Sequence, residues 1–276
     1  MRVTAGWERA GALPVYRAAP AVGGPAPGVV VLMEVWGVDE HVQDVVRRFA
    51  DSGYAALAPD LYALDGSKPA AVEPARIEEL KAFRDSLPPA EWMDDARRAA
   101  ALERLQEPQR SNLAETVALA FAAERDWDTL VSAMSTAAGY LRADQACDGR
   151  VATVGFCLGG RLAAELACAD PELTGAVLFY GSPPRIERIP AIACPLLAVC
   201  GEEDTRILET LPGFRDALAE TAKTIETLVY PGAPHAFFND TRPSYRAGPS
   251  RDAWARTLAF LADCLSSPST PVRAGA

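Results

Sequence analysis

The chain is organised by a series of short apolar runs separated by amphipathic stretches. The runs at 28–34, 54–58, 151–156, 175–180, 195–201 and 225–230 are each of strand length. They are mainly apolar rather than strictly alternating, the pattern of strands buried on both faces of a parallel sheet. Between and after them, 38–52, 158–169, 207–221 and 251–265 predict helices; Val42, Val45, Val46 and Phe49 share one face of the first. Strand and helix in alternation predict an α/β fold, a mainly parallel central sheet with helices on both faces. The first 27 residues are rich in Gly, Pro and Ala, with one extended stretch at 15–18. Residues 66–125 read differently, as several short amphipathic helices punctuated by prolines, before a longer helix at 127–142. The chain is read as a single domain, 1–276, with a helical insertion at about 66–125. The tail after Ser266 is expected to fray.

Composition narrows the function classes. With 27 Lys+Arg against 37 Asp+Glu, the formal net charge is −10. Such a chain repels polyphosphate at long range, so neither nucleic acid nor an anionic membrane is an expected partner. An anionic small substrate needs a local arginine pocket. The only histidines are His41 and His235, which argues against a His-rich metal site and leaves few groups for proton transfer near neutral pH. His41, among polar residues at a helix start, is expected to be a solvated surface residue. The six cysteines show no CxxC spacing, so no metal or redox pair is expected, and no other cofactor. The N-terminus lacks a basic region followed by an apolar run, and no apolar stretch is long enough to span a membrane. Free thiols without an export signal point to the cytoplasm.

The segment Val154-Gly155-Phe156-Cys157-Leu158-Gly159-Gly160 carries the chemistry. A strand ends in Gly-x-Cys-x-Gly-Gly and a helix begins at once, the nucleophile-elbow pattern with cysteine in the serine position. Side chains two residues before and after the nucleophile would collide with backbone, so Gly155 and Gly159 omit them. The helix N-terminus favours thiolate over thiol, and the Leu158 N–H is placed as an oxyanion donor. Asp204, in Gly201-Glu202-Glu203-Asp204, and His235, in Pro234-His235-Ala236-Phe237, each follow a predicted strand. The order Cys157, Asp204, His235 is that of the α/β-hydrolases, and each interval leaves room for about one helix–strand unit. Glu34 closes the first apolar run, where an unpaired carboxylate is costly. The loop after it is expected to supply a second oxyanion N–H, from Val35. Trp36 and Tyr62 lie in loops past strand ends, either lining a pocket or capping the sheet edge. Phe237 and Phe238 are expected to pack beside the histidine.

Together, Met33-Glu34-Val35-Trp36-Gly37, Ala58-Pro59-Asp60-Leu61-Tyr62, the cysteine elbow, the Asp204 and His235 segments and the Trp254–Leu261 stretch resemble the dienelactone hydrolase family of α/β-hydrolases, the carboxymethylenebutenolidase type. The resemblance spans roughly 28–265. It implies Cys157 as nucleophile, His235 as base and acid, Asp204 as the orienter of His235, and Glu34 as a group that interacts with the resting thiol. It implies cleavage of an enol-lactone or activated ester through a thioester. Two departures stand out. Where the best-known members carry a carboxylate-binding arginine four residues after the histidine, this chain has Asn239; Arg161, Arg206 and Arg242 are the candidates to replace it. The helical region before the elbow is also longer than the family leads one to expect, as a lid, a decoration or a dimer surface. Three other readings stay open: a general carboxylesterase or thioesterase, a catalytically silent small-ligand binder, and a redox sensor built on Cys157. The expected partner is a small ester or lactone, with the chain a monomer or homodimer.

Overall fold

The computed structural model describes residues 2–266. Eight strands form one sheet in the order β1-β2-β4-β3-β5-β6-β7-β8. They are β1 (Val3–Ala10), β2 (Leu13–Pro20), β3 (Ala26–Leu32), β4 (Ala55–Pro59), β5 (Cys147–Phe156), β6 (Leu173–Phe179), β7 (Leu196–Gly201) and β8 (Ile225–Tyr230). From β4 onward every neighbouring pair is parallel, while β1 and β2 add antiparallel at one edge. Helices α1 (Glu40–Asp51) and α10 (Ala247–Ser266) lie together, Phe49 and Trp254 meeting with ring centroids 4.6 Å apart. Helices α6 (Trp127–Arg142) and α7 (Leu158–Ala169) pack against each other and the sheet. Between β7 and β8 come α8 (Thr205–Leu208) and α9 (Leu211–Ala219).

The edge strand β8 is only partly covered, while the central parallel strands carry the core, Val29, Val30, Val31, Leu57, Val154, Phe156 and Val177 having essentially no exposed surface. Each such side chain contributes about 1.5–3 kcal/mol through burial. Helix α1 begins where Asp39 accepts the Val42 N–H at 3.1 Å, and it turns Val42, Val45, Val46 and Phe49 inward. The main addition to the sequence expectation is β1. Its side chains are mostly exposed, so it carries no apolar signature; pairing with β2, Trp7 opposite Tyr16, makes it a strand. The run read as reaching Glu34 leaves the sheet after Leu32, which turns Glu34 into the loop beyond the strand. The tail after Ser266 lies outside the described residues.

The 66–125 region forms α2 (Pro74–Ser86), α3 (Pro89–Met93), α4 (Asp95–Leu102) and α5 (Gln109–Ala120). These helices build a second apolar cluster from Ile77, Leu80, Phe83, Trp92, Leu113 and Ala120, and that cluster closes over Val35 and Trp36. Two ion pairs fasten the helices to the body: Lys81 Nζ to Asp39 at 2.8 Å and Arg242 to Asp85 at 2.6 Å. The region therefore packs as a cap over the loop that follows β3.

His41 overturns its expectation. It is 1% exposed, its ring edge-on to Phe156 and Phe238 at 6.1 and 6.2 Å. Helix α1 turns this residue toward the sheet, and Nδ1–H donates to Asp240 at 3.2 Å. Arg48 also binds Asp240. The hydrogen bond from His41, ahead of the opposing effect of burial, and then the bond and charge of Arg48 hold the Asp240 carboxyl well below its usual 3.8. A carboxyl depressed in this way stabilises the fold above pH 3.8, and the contribution fades as pH falls toward the folded-state value. Asp240→Ala should therefore lower unfolding stability at pH 7 by about 2 kcal/mol, read from urea denaturation. The gap to the unsubstituted protein should narrow below about pH 4; a gap independent of pH would contradict this.

Candidate active site

The elbow is set by two missing side chains. A Cβ on Gly155 would lie 1.8 Å from the Gly159 carbonyl oxygen, and one on Gly159 would lie 2.1 Å from that of Leu32. Only with both absent does β5 run directly into α7. Cys157, between them, takes φ 55° and ψ −113°, a backbone state that costs a non-glycine residue about 1–3 kcal/mol. Tyr180 and Ala236 also have positive φ, 39° and 59°, so strained backbone gathers from three separate segments. The turn leaves Cys157 partly exposed, whereas Cys147, Cys168, Cys194 and Cys200 are buried.

His235, in the loop after β8, donates from Nδ1 to Asp204 Oδ2 at 2.5 Å. The carboxylate is 6% exposed and the imidazole 30%. Burial by itself lowers the imidazole pKa. The negative charge of the Cys157 sulfur, the hydrogen bond to Asp204, contact with the sulfur and the Asp204 charge outweigh it, and His235 is pushed up to about 10. Cys157, His235 and Asp204 thus meet at the carboxyl ends of β5, β7 and β8, the edge where parallel sheets gather ligand-facing residues. Phe237 and Phe238 are buried behind the histidine.

Glu34 is 1% exposed. Asn239 Nδ2 donates to Oε2 at 2.7 Å and the Tyr180 hydroxyl to Oε1 at 3.3 Å. Asn239 is itself oriented by Thr241, whose N–H and hydroxyl donate to Oδ1 at 3.1 and 2.7 Å. Burial, then the charge of Glu34, pushes the Tyr180 hydroxyl well above its usual value, so it remains a donor. Its ring packs on His235 with centroids 5.0 Å apart. The residue in the expected arginine position therefore holds Glu34. Tyr180 was missed because it closes an apolar run; its place at the end of a parallel strand was the available signal.

The candidate arginines diverge. Arg242 is 8% exposed, pairs with Asp85 and lies over Trp36 at 5.0 Å. Arg161 stacks on Trp127 at 4.0 Å and lies 3.8 Å from Glu165. Arg206 is exposed on α8. Trp36 packs edge-on against Phe121 at 5.9 Å. The Tyr62 hydroxyl donates to the Val35 carbonyl at 2.7 Å, and burial is the main reason its pKa is pushed up to about 12. Tyr62, Met33 and Leu158 border a half-open cavity of about 250 Å³ beneath the cap. Arg125, at the close of the insertion and unremarked in the sequence, lines it too.

The profile described as "Dienelactone hydrolase family" matches residues 13–265. A Methylorubrum extorquens protein named "Putative carboxymethylenebutenolidase" is 33% identical over 257 residues, 89% of this chain and 75% of that protein. One of the same name from Saccharolobus solfataricus is 32% identical, covering 86% and 89%. The crystal structure titled "Putative Dienelactone Hydrolase" from Klebsiella pneumoniae superposes with a TM-score of 0.71 at 27% identity, covering 95% of this chain and 99% of that one. An alpha/beta hydrolase enzyme from a deep-sea metagenome shares the fold at 11% identity, with a TM-score of 0.62 and coverage of 96% and 99%.

Having only two histidines makes one prediction easy to read. In an NMR titration the His235 imidazole should change protonation near pH 10. In Cys157→Ala, which removes the strongest upward influence, the midpoint should fall. A midpoint near 6.5 in the unsubstituted protein would contradict the charge arrangement.

Proposed function

The chain belongs to the dienelactone hydrolase family, with the α/β-hydrolase fold, and from that premise we propose a cysteine-dependent hydrolase that cleaves an enol-lactone or activated ester through a thioester acyl-enzyme. The observation that carries the reading is the line from Asp204 through His235 to the sulfur at the elbow. Six free cysteines among the described residues suit a reducing cytoplasm. No helix among the described residues is long and apolar enough to cross a membrane.

The Cys157 sulfur attacks the carbonyl carbon, and the carbonyl π electrons move onto oxygen. The N–H groups of Leu158 and Val35 receive that oxyanion; losing one such donor typically costs about 3 kcal/mol in the barrier. As the intermediate collapses, the carbon–oxygen bond breaks and the His235 imidazolium gives its proton to the departing oxygen. Neutral His235 then takes a proton from water, whose oxygen attacks the thioester carbon. A second collapse expels the sulfur as thiolate and releases the acid. Asp204 keeps Nδ1 protonated, so Nε2 is the nitrogen that exchanges protons. Glu34, held by Asn239 and Tyr180, lies behind the Tyr180 ring that packs on His235.

The choice of sulfur sets the substrate. Thiolate leaves more readily than alkoxide, so an intermediate with a poor leaving group falls back to reactant. Enol-lactones and aryl esters, whose leaving groups are stabilised, go forward. Cys157→Ala should lower kcat/KM on p-nitrophenyl acetate and on an enol-lactone by at least a thousandfold, and Cys157→Ser should retain only a small fraction. Undiminished turnover by Cys157→Ala would exclude the covalent route.

A further inference from the structure

The cavity beneath the cap has no part in the scheme above. It lies between α7 of the elbow, the loop after β4 and the junction of α5 with α6. Leu61, Leu64, Leu119, Leu130, Leu158 and Leu162 make its wall. Leu158 directly follows Cys157 and Leu162 lies one helical turn on, so the wall runs along the start of α7 next to the elbow. Tyr62, whose ring borders the same space, is near enough to Cys157 to sense its charge. At roughly 30 Å³ per water-sized group, about 250 Å³ has room for about eight such groups.

Charge at the cavity decides what can enter. Glu124, Arg125 and Asp126 all line it, two carboxylates against one guanidinium. Arg125 is already engaged: Nη2 donates to the Ala120 carbonyl at 2.6 Å, and its charge acts on the Tyr62 hydroxyl. Asp126 accepts from the N–H and hydroxyl of Thr129 at 3.0 and 2.7 Å, which leaves Asp126 a fixed negative charge at the opening. Elsewhere, Arg242 is committed to Asp85 and Asn239 to Glu34. A substrate with an anionic tail meets net negative charge and leucine there, while an apolar tail buries its surface.

We propose that this cavity is the acyl pocket of the enzyme, and that the substrate class is a neutral ester with an unbranched apolar acyl chain of about six to eight carbons. The proposal rests on the hydrolase reading and goes beyond it by assigning the acyl group.

The test uses p-nitrophenyl acetate, hexanoate and the monoester of adipic acid, which has the hexanoate chain with a carboxylate at its end. The unsubstituted protein should show kcat/KM at least tenfold higher for hexanoate than for acetate, and at least tenfold higher for hexanoate than for the adipate ester. Leu119→Trp, which fills the cavity from the cap side, should lower kcat/KM for hexanoate at least fivefold more than for acetate. Leu119→Ala should shift the preference toward octanoate. Equal rates on acetate and hexanoate, preference for the adipate ester, or a Leu119→Trp effect equal on all esters would overturn the proposal. A separate measurement frees it from the chemistry: calorimetric binding of 2-octanone and of heptanoate to the Cys157→Ala protein. The pocket predicts that 2-octanone binds at least tenfold more tightly and that adding Leu119→Trp removes the difference. No binding of 2-octanone would overturn the pocket, whereas binding without turnover by the unsubstituted protein would overturn the hydrolase reading alone.

Discussion

Everything at this site descends from a steric contact, the approach of the Gly159 carbonyl to the bare Cα of Gly155. Without it β5 could not enter α7 in a single residue, and Cys157 would not be held at positive φ with its sulfur above the sheet. The contact also places that sulfur at the start of a twelve-residue helix, where the backbone N–H groups favour negative charge. The same close approach recurs between Gly159 and the Leu32 carbonyl. It draws the end of β3, and with it Glu34 and Val35, against the elbow. One backbone constraint thus gathers the sulfur, the proposed oxyanion donors and the buried carboxylate.

Around that turn the charges are arranged in two layers. Asp204 meets His235 directly at 2.5 Å. Glu34 stands apart, held by a neutral amide and a phenol. A carboxylate in a nearly closed setting is costly unless its oxygens are satisfied, and here each oxygen has its own donor. Asn239 serves Glu34 without adding positive charge, unlike an arginine in that place. Asp240, the next residue, is bound by His41 and Arg48 of α1. The loop carrying His235, Asn239 and Asp240 is therefore pinned from below by a polar cluster among aromatic rings.

The alternation of helix and strand was legible because buried parallel strands are apolar on both faces; β8 and the helices at 127–142 and 158–169 appear with the predicted bounds. Strand β1 was not legible, since an exposed edge strand has no apolar pattern and owes its form to β2. The elbow could be read because its glycines are dictated by local sterics. His41 could not, since its burial depends on Asp240, 199 residues away in the chain. The arginines show the same limit: an arginine carries no local mark of its partner, and Arg242 found Asp85 in the cap. That the insertion closes over Trp36 depended on the ion pairs of Lys81 and Arg242, which join segments far apart in sequence.

The central claim is that the sulfur at position 157 becomes covalently acylated during turnover. Mixing the protein with p-nitrophenyl hexanoate, quenching in acid within milliseconds and measuring intact mass tests it most directly. The account predicts a transient mass increase equal to one hexanoyl group in place of hydrogen, mapped by proteolysis to the peptide containing Cys157. Turnover with no adduct at any time, or an adduct on another residue, would contradict it.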